Sequence, residues 1–586
     1  MNAAVDEIQH RMSALVGRED TDALSDVGTI HSFCLMNILA PNHWRLPVLA
    51  KGFRVLPATC EEYLDLITGI TTSHGLDRRA LQDFERLERQ RPLPSWITLG
   101  AAEDYWCYLD AHGCVDFNDI LYYSDDLVRQ HPEVSAGLAA KYAWMLVDEF
   151  HDTTDHQASI LGAVARHKRT RFFIVGDPYQ SIMSFAGGRP ELMDEFSNAV
   201  GADSSVRLVG NYRSSRRIVA LAESVQPRIP HMEAVGESRD CDCEPVWVHT
   251  ERLTDGIDDH FLPVVQAMGI PLGHCAVLAA NYFILYDIGR HLRKSKVPII
   301  GPGARPYRRA EHLIAPVAEE LATCAVVADA KQFRLVRHRL VDLVLRCCPE
   351  LVRRFASFDA QVAVAKCVRL AGSISPRDGP ALQFIERLAK DTATVLRTHG
   401  LLSEVAAEMV TRSGLDMCQD IRQRRDVNAE ALTVDDLGIF AHGDKCIKLL
   451  TFHKSKGREF DAVAMVRLHD GLIPYGSPTS RSPEEAESRR LFYVGVTRAK
   501  KVLMMFTDGD DRRNYHPSRF LSSCFPDGPG GLEFRGRFTK SYSDTCQGRS
   551  CRIPPALLTV DRWQLSTESS RWRLTNRWPG LVSFRG

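Results

Sequence analysis

An apolar run, Trp144-Met145-Leu146-Val147, stops at two adjacent carboxylates, Asp148 and Glu149, and this is the most informative change of polarity along the chain. The run has the length and bulk of a strand buried on both faces of a parallel sheet. In such sheets ligands bind beyond the carboxyl ends of the strands, where Asp148 and Glu149 project. A second apolar run, Phe172 to Val175, follows a helical segment around Gln157 to Arg166, so the three predict a βαβ unit. Upstream, residues 1 to about 40 read as helix, turn and a second amphipathic stretch. Residues 41–140 carry Leu, Glu, Arg and Tyr at helical spacing with few strand signals, which predicts an inserted helical subdomain.

Alternation returns from about Val206 to Pro302, with a strand at Ala276-Val277-Leu278 and a helix from Leu285 to Lys294. Residues from about 310 to 445 are again helical in pattern. Lys448 to Phe452, Ala462 to Val466 and Val502 to Phe506 then predict strands. The chain is therefore α/β, with two parallel-sheet domains that each carry a helical insertion. The boundaries expected are 1–206 for the first domain, with its insertion at about 41–140. The second domain spans 207–310 and 446–510, and its insertion 311–445; 511–586 form a tail. That tail interleaves Trp563, Trp572 and Trp578 with arginines, a pattern open to two readings: a stacking platform for single-stranded bases or an appendage.

Length and composition change little in this picture. A chain of 586 residues is too long for one core. Its 44% hydrophobic and 25% charged residues are ordinary for a globular protein, and a net charge of -1 excludes only a strongly basic protein, not a local basic groove. The 16 cysteines lack paired CxxC spacing, so reduced thiols are expected and no metal-sulfur site. No apolar run of membrane-spanning length and no signal-peptide pattern is present, which predicts a cytoplasmic protein.

Six segments then fall into one order: Gly28-Thr29-Ile30-His31-Ser32-Phe33, VDEFHD (147–152), VGDPYQSIMSF (175–185), GNYRSS (210–215), TFHKSKGREFD (451–461) and RRLFYVGVTRAKK (489–501). Together they resemble the UvrD/Rep-like branch of superfamily 1 helicases, over nearly the whole chain to about residue 510. The resemblance implies two RecA-like domains, ATP and Mg2+ as cofactors, DNA with a single-stranded region as partner, and movement 3′ to 5′.

Residue by residue, the resemblance makes Asp148 the Mg2+ ligand and Glu149 the base that aligns the attacking water. Gln180 would sense the γ-phosphate, and Arg213 and Arg498 would stabilise the charge built on a transferring phosphoryl group. Tyr212 would stack on the adenine and Glu459, in the loop with Gly457, would meet the ribose. Thr29, His31, Phe185, His453 and Lys454 fall on the family's DNA path. For Lys454 and Lys456 a solvated surface role stays open, as does core packing for Phe185. Asp152 reads as a structural hydrogen-bond partner.

One expected part is missing. The family opens with a strand leading into GxxxxGK[ST], whose amides and lysine cradle phosphates, and this chain has no Gly-Lys dipeptide. Its opening, Asn2 to Met12, resembles the helix that follows that loop, so the first domain is read as N-terminally truncated. Three explanations stay open: a start placed too far downstream, a partner chain carrying the piece, or a degenerate helicase that binds DNA or a partner without hydrolysing ATP. His151 stands for the family's usual Gln, Met183 and Ala186 for an aromatic and an Arg, and Arg458 for an apolar residue. These departures are expected to weaken DNA coupling more than hydrolysis.

Overall fold

In a computed structural model, which describes residues 26–525 other than 59, 78–79, 82, 90, 95, 183–186, 325–329, 377, 426, 477–481 and 510–515, the first described element is a capped helix. The Thr29 hydroxyl accepts from the Ser32 amide at 3.2 Å and starts α1 (Ile30–Cys34). The expected first helix, Met183, Phe185, Ala186 and the Trp-rich tail lie outside the described residues.

A helical insertion follows, as the spacing of its apolar residues predicts. Strand β1 (Arg54–Val55), helices α2 (Glu61–Ser73) and α3 (Leu99–Ala111), strand β2 (Cys114–Val115) and helices α4 (Phe117–Gln130) and α5 (Pro132–Lys141) succeed one another. Its core is aromatic: Tyr105 meets Tyr63 and Phe84 edge-on, with centroids 6.2 and 5.5 Å apart.

The predicted βαβ unit forms next, from β3 (Trp144–Val147), α6 (Asp155–Ala165) and β4 (Arg171–Ile174), with the strands parallel and Leu146 opposite Phe173. A capping box between Thr154 and Gln157 sets where α6 begins. One expectation fails here. β3 is buried on one face only: Met145 packs with Ile160, Leu161 and Phe196, whereas Trp144, Leu146 and Phe173 are 53%, 73% and 57% exposed. Among the described residues this sheet has two strands, so helices cover a single face. After α7 (Glu191–Val200) the chain runs through 202–209 without regular structure, and Val206 and Leu208 are exposed there as well.

The second domain is built differently. Short β5 (Gly210–Asn211) pairs with β6 (Glu233–Ala234) across α8 (Arg216–Val225). The main sheet takes β7 (Val246–Thr250), β8 (Cys275–Ala279), which feeds α9 (Tyr282–Lys294), and β9 (Ile299–Ile300). The chain then leaves for the second helical insertion, whose longest members are α10 (Ala330–Cys347), α11 (Phe358–Ile374), α12 (Ala381–Thr398) and α13 (Glu404–Gln423). It returns as β10 (Ile447–Thr451), α14 (Phe452–Ser455), β11 (Phe460–Met465), α15 (Pro483–Val496) and β12 (Ala499–Asp508).

All six strands are parallel, in the order β7-β12-β11-β8-β10-β9. Every residue of β8 is inaccessible to solvent, as a central parallel strand requires. α9 lies close to the sheet because Gly289 has no side chain: a Cβ there would stand 2.1 Å from the Pro302 carbonyl oxygen. Gly289→Val should therefore destabilise the domain by about 1–3 kcal/mol or more, seen as a lower urea midpoint by circular dichroism.

Candidate nucleotide site between the two sheets

The chain leaves β3 through a strained turn. Glu149 adopts φ 52° and ψ 38°, left-handed for a residue with a side chain, and its amide donates to Asp148 Oδ1 at 2.9 Å. Such a conformation costs on the order of 1–2 kcal/mol. It sets two carboxylates at the strand end, and Asp148 pairs with no cation among the described residues.

His151, two residues on, is fully buried against this turn. Its Nδ1 accepts from the Asp177 amide at 2.9 Å, which puts the ring proton on Nε2, 3.3 Å from Glu149 Oε2. Burial, then the Lys456 charge, pushes its pKa down to about 4, so the ring is neutral at pH 7. The substitution expected to weaken DNA coupling thus lies against the carboxylate at the strand end. The physical reason is the short turn after β3, which folds position 151 back under Glu149.

Loop 175–181 closes one wall. Gln180 Nε2 donates to Asp177 Oδ2 at 2.9 Å, which aims the amide oxygen across the cleft. There it accepts from Arg498 Nη2 at 3.0 Å. Arg498 is 1% exposed, and its other bonds go to the Val494 carbonyl (2.9 Å), the Arg458 carbonyl (3.2 Å) and Thr497 Oγ1 (3.0 Å). All four acceptors are neutral. Desolvation, reinforced by nearby Arg213, pushes the Arg498 pKa down to about 9. The site therefore holds a guanidinium with no hydrogen-bonded carboxylate among the described residues.

Around it, Arg213 Nε donates to Glu459 Oε2 at 2.8 Å and Arg213 Nη1 to the Thr497 carbonyl at 3.1 Å. Lys500 meets the other oxygen of Glu459 at 2.6 Å, and these cations hold the Glu459 carboxyl below its usual range despite the opposing effect of burial. Tyr212 presents a ring that is 79% exposed, and Gly457 turns the chain at φ 74°.

Lys456 is not a solvated surface residue. It reaches from the second domain to Asp152 Oδ2 at 2.5 Å and the Gln180 carbonyl at 2.8 Å, with its ammonium 2.9 Å from His151 Nε2. Since that nitrogen carries the ring proton, the bonds of Lys456 are those to the two oxygens. Asp152 is, as expected, a structural partner. Three further ties had no sequence signal: Arg228 to Asp177 and to the Tyr493 hydroxyl, each 3.0 Å, and Arg490 to the Ser181 carbonyl at 2.7 Å.

The structure thus brings together Asp148, Glu149, Gln180 and Arg498, with Arg213, Tyr212, Gly457 and Glu459 beside them. The remaining candidates form no single cluster. Thr29 and His31 head α1, with His31 edge-on to Phe117 at 5.9 Å and its pKa lowered by burial. His453, also lowered by burial, and Lys454 lie in α14. Phe185 lies outside the described residues. No group of three or more His, Cys, Asp or Glu able to hold a metal occurs among the described residues, so a metal at Asp148 would take most ligands from elsewhere, as Mg2+ does. The described cysteines are free thiols.

Two α/β layers facing a cleft of carboxylates, an amide and arginines define a protein of the α/β class with parallel sheets and a polar cleft between them. The chain belongs to the UvrD/Rep-like helicase family. The UvrD/REP helicase N-terminal domain matches residues 1–201 and the UvrD-like helicase C-terminal domain residues 416–508. The chain is 24% identical to DNA helicase II of Haemophilus influenzae, over 92% of this chain and 82% of that protein. It is 27% identical to ATP-dependent DNA helicase Rep of Salmonella typhimurium, over 89% and 85%. With ATP-dependent DNA helicase PcrA of Leuconostoc citreum it shares 24% identity over 90% and 78%.

Two outcomes follow from the geometry. Lys456→Met, by removing the bonds to Asp152 and Gln180, should widen the mean separation of the two sheets, read as lower transfer efficiency between dyes placed on each domain. Partial desolvation at the strand end raises the Glu149 pKa, with the side chain still 51% exposed. The native state therefore favours its protonated form, so this group adds stability below the unfolded carboxylate pKa and loses it as pH rises through the folded one. Glu149→Gln should accordingly gain stability over the parent at pH 8 and lose that advantage near pH 4, measured by urea titration at both.

Proposed function

We propose that this chain is an ATP-dependent DNA helicase and single-strand translocase moving 3′ to 5′. The observation that carries this reading is Arg498: a buried guanidinium, hydrogen-bonded to no carboxylate among the described residues, delivered by the second domain onto Gln180 of the first. A bound anion would relieve the cost of that charge. Beside it, the Asp148 carboxylate, with no cation partner among the described residues, suits a hydrated divalent cation, so the donors present fit a metal-bound phosphate.

ATP with Mg2+, when bound, would supply the phosphoryl group that passes to water. Asp148 would hold the metal, and Glu149, with the His151 ring 3.3 Å away, would align the water and take up its proton. Arg498 and Arg213 would neutralise charge on the equatorial oxygens, while Gln180, already bonded to Arg498, would register whether that charge is present. Tyr212 would stack on the base and Glu459 reach the ribose once Arg213 and Lys500 turn to phosphate. Gly457 lets that loop turn. Because these groups come from both domains, closing the cleft completes the site and opening dissolves it, and Thr29, His31, Phe185, His453 and Lys454 would carry that motion to the strand.

The alternative is a degenerate helicase, a protein that binds DNA without hydrolysing ATP. ATP turnover by the full chain, with and without single-stranded DNA, separates the two. The motor reading expects DNA-stimulated turnover that falls about 10²–10⁴-fold in Glu149→Gln. Absent turnover with retained DNA binding would sink it and favour the second.

A further inference from the structure

A closed circuit of hydrogen bonds crosses the cleft, beginning and ending on α15. The Tyr493 hydroxyl, in the last turn of that helix, accepts from Arg228 Nη1 at 3.0 Å, and the same nitrogen donates to Asp177 Oδ2 at 3.0 Å. Asp177 Oδ2 also accepts from Gln180 Nε2 at 2.9 Å, and Gln180 Oε1 accepts from Arg498 Nη2 at 3.0 Å. Arg498, just past the end of α15, donates back to the Val494 carbonyl at 2.9 Å. Of these five residues, Arg228 alone lies outside the six ordered segments.

Asp177 is the fixed point of the circuit. Its amide donates to His151 Nδ1 at 2.9 Å, and its Oδ1 accepts from the Tyr179 amide at 3.1 Å. A carboxylate only accepts and a guanidinium only donates, so Gln180 between them has one orientation open to it: NH2 toward Asp177, oxygen toward Arg498. Arg228 is itself held in place. Its guanidinium lies 5.1 Å from the centre of the Tyr179 ring, and the Arg228 and Asp177 side chains are only 21% and 17% exposed.

The charge on Arg228 matters as much as its hydrogen bond. No other cation pairs with Asp177 among the described residues. Without Arg228, a largely buried carboxylate would stand on one side of Gln180, and on the other a buried guanidinium that has no hydrogen-bonded carboxylate among the described residues. Opposite charges left uncompensated away from water attract strongly. Their direct pairing would displace the Gln180 amide and take from Arg498 its response to an incoming anion.

We propose that Arg228 is a positioning residue that, by holding Asp177, sets the Gln180 amide and keeps Arg498 free for a terminal phosphate, so that the cleft prefers a nucleoside triphosphate to a diphosphate. This rests on the proposed function and adds to it the residue that decides nucleotide selectivity. Arg228 acts through Asp177 and Gln180 and touches no phosphate.

The test is binding of methylanthraniloyl-labelled AMPPNP, a non-hydrolysable triphosphate, and of labelled ADP to the full chain with Mg2+, read by fluorescence anisotropy. The parent should bind the triphosphate more tightly. One charge-assisted hydrogen bond is worth about 10- to 150-fold in affinity. Arg228→Met should therefore lose at least about tenfold on the triphosphate and nothing on ADP. Arg228→Lys, which keeps the charge on Asp177, should retain most of the preference. Asp177→Asn should lose the preference as Arg228→Met does, and the double variant should lose no more than either alone.

An equal loss on both nucleotides in Arg228→Met would make Arg228 a simple tie between the domains and overturn the positioning role. A preference retained in Arg228→Met or in Asp177→Asn would overturn it too, so either variant decides the matter if the other does not fold. A parent that binds both nucleotides alike would remove the selectivity while leaving the nucleotide site standing. A parent that binds neither would remove the proposal together with the functional reading.

Discussion

The buried charge on Arg498 is the constraint on which the cleft depends. A guanidinium taken out of water costs several kcal/mol unless its hydrogens find acceptors. Here three of those acceptors, the Val494 and Arg458 carbonyls and the Thr497 hydroxyl, belong to the second domain, and the fourth, Gln180 Oε1, belongs to the first. The Val494 carbonyl lies in the last turn of α15, where the helix dipole favours a cation. Hydrogen bonding is thus satisfied by neutral groups, while Glu149 and Glu459 act on the charge only through space, which makes the site responsive to an anion.

The other ties across the cleft are of the same kind. Lys456 with Asp152 and the Gln180 carbonyl, Arg228 with Asp177, and Arg490 with the Ser181 carbonyl are charged or polar contacts, and the Tyr179 ring adds one apolar contact to the second domain's core. Such contacts exchange with water at modest cost, so domains joined by them can separate and rejoin. Each tie ends on the loop or turn that carries a site residue, Gln180 or Glu149. A movement of one domain is therefore felt at the groups best suited to orient water and phosphate.

The two sheets differ in how far burial supports them. β8 lies at the centre of six parallel strands with no exposed surface, whereas β3 and β4 form a pair with Leu146 and Phe173 in solvent. Hydrophobic stabilisation scales with the area removed from water, so the described part of the first sheet gains much less from each apolar residue than the second does. Its site residues are held instead by local bonds: Glu149 to Asp148, the Asp177 amide to His151, and Gln180 to Asp177.

Much of this was legible in the residues. Apolar runs predicted β3, β4, β8, β10, β11 and β12 to within a few positions, because parallel strands buried in sequence-local blocks leave an unbroken signal. The six ordered segments placed Asp148, Glu149, Gln180, Arg213, Glu459 and Arg498 in one reading before any distance was known. Their roles on ATP remain part of the proposal. Hidden from the sequence were the interactions that span hundreds of residues: Lys456 on Asp152, Arg228 on Asp177, and the left-handed turn that folds His151 under Glu149. Hidden too was the exposure of Leu146, since an apolar residue carries the same letter whether its face is covered or not. Local pattern determined the elements and the chemistry available to them. Tertiary structure alone decided which charges meet, which stay unpaired and which rings face water, because burial and distance are properties of the assembled layers and not of neighbours in the chain.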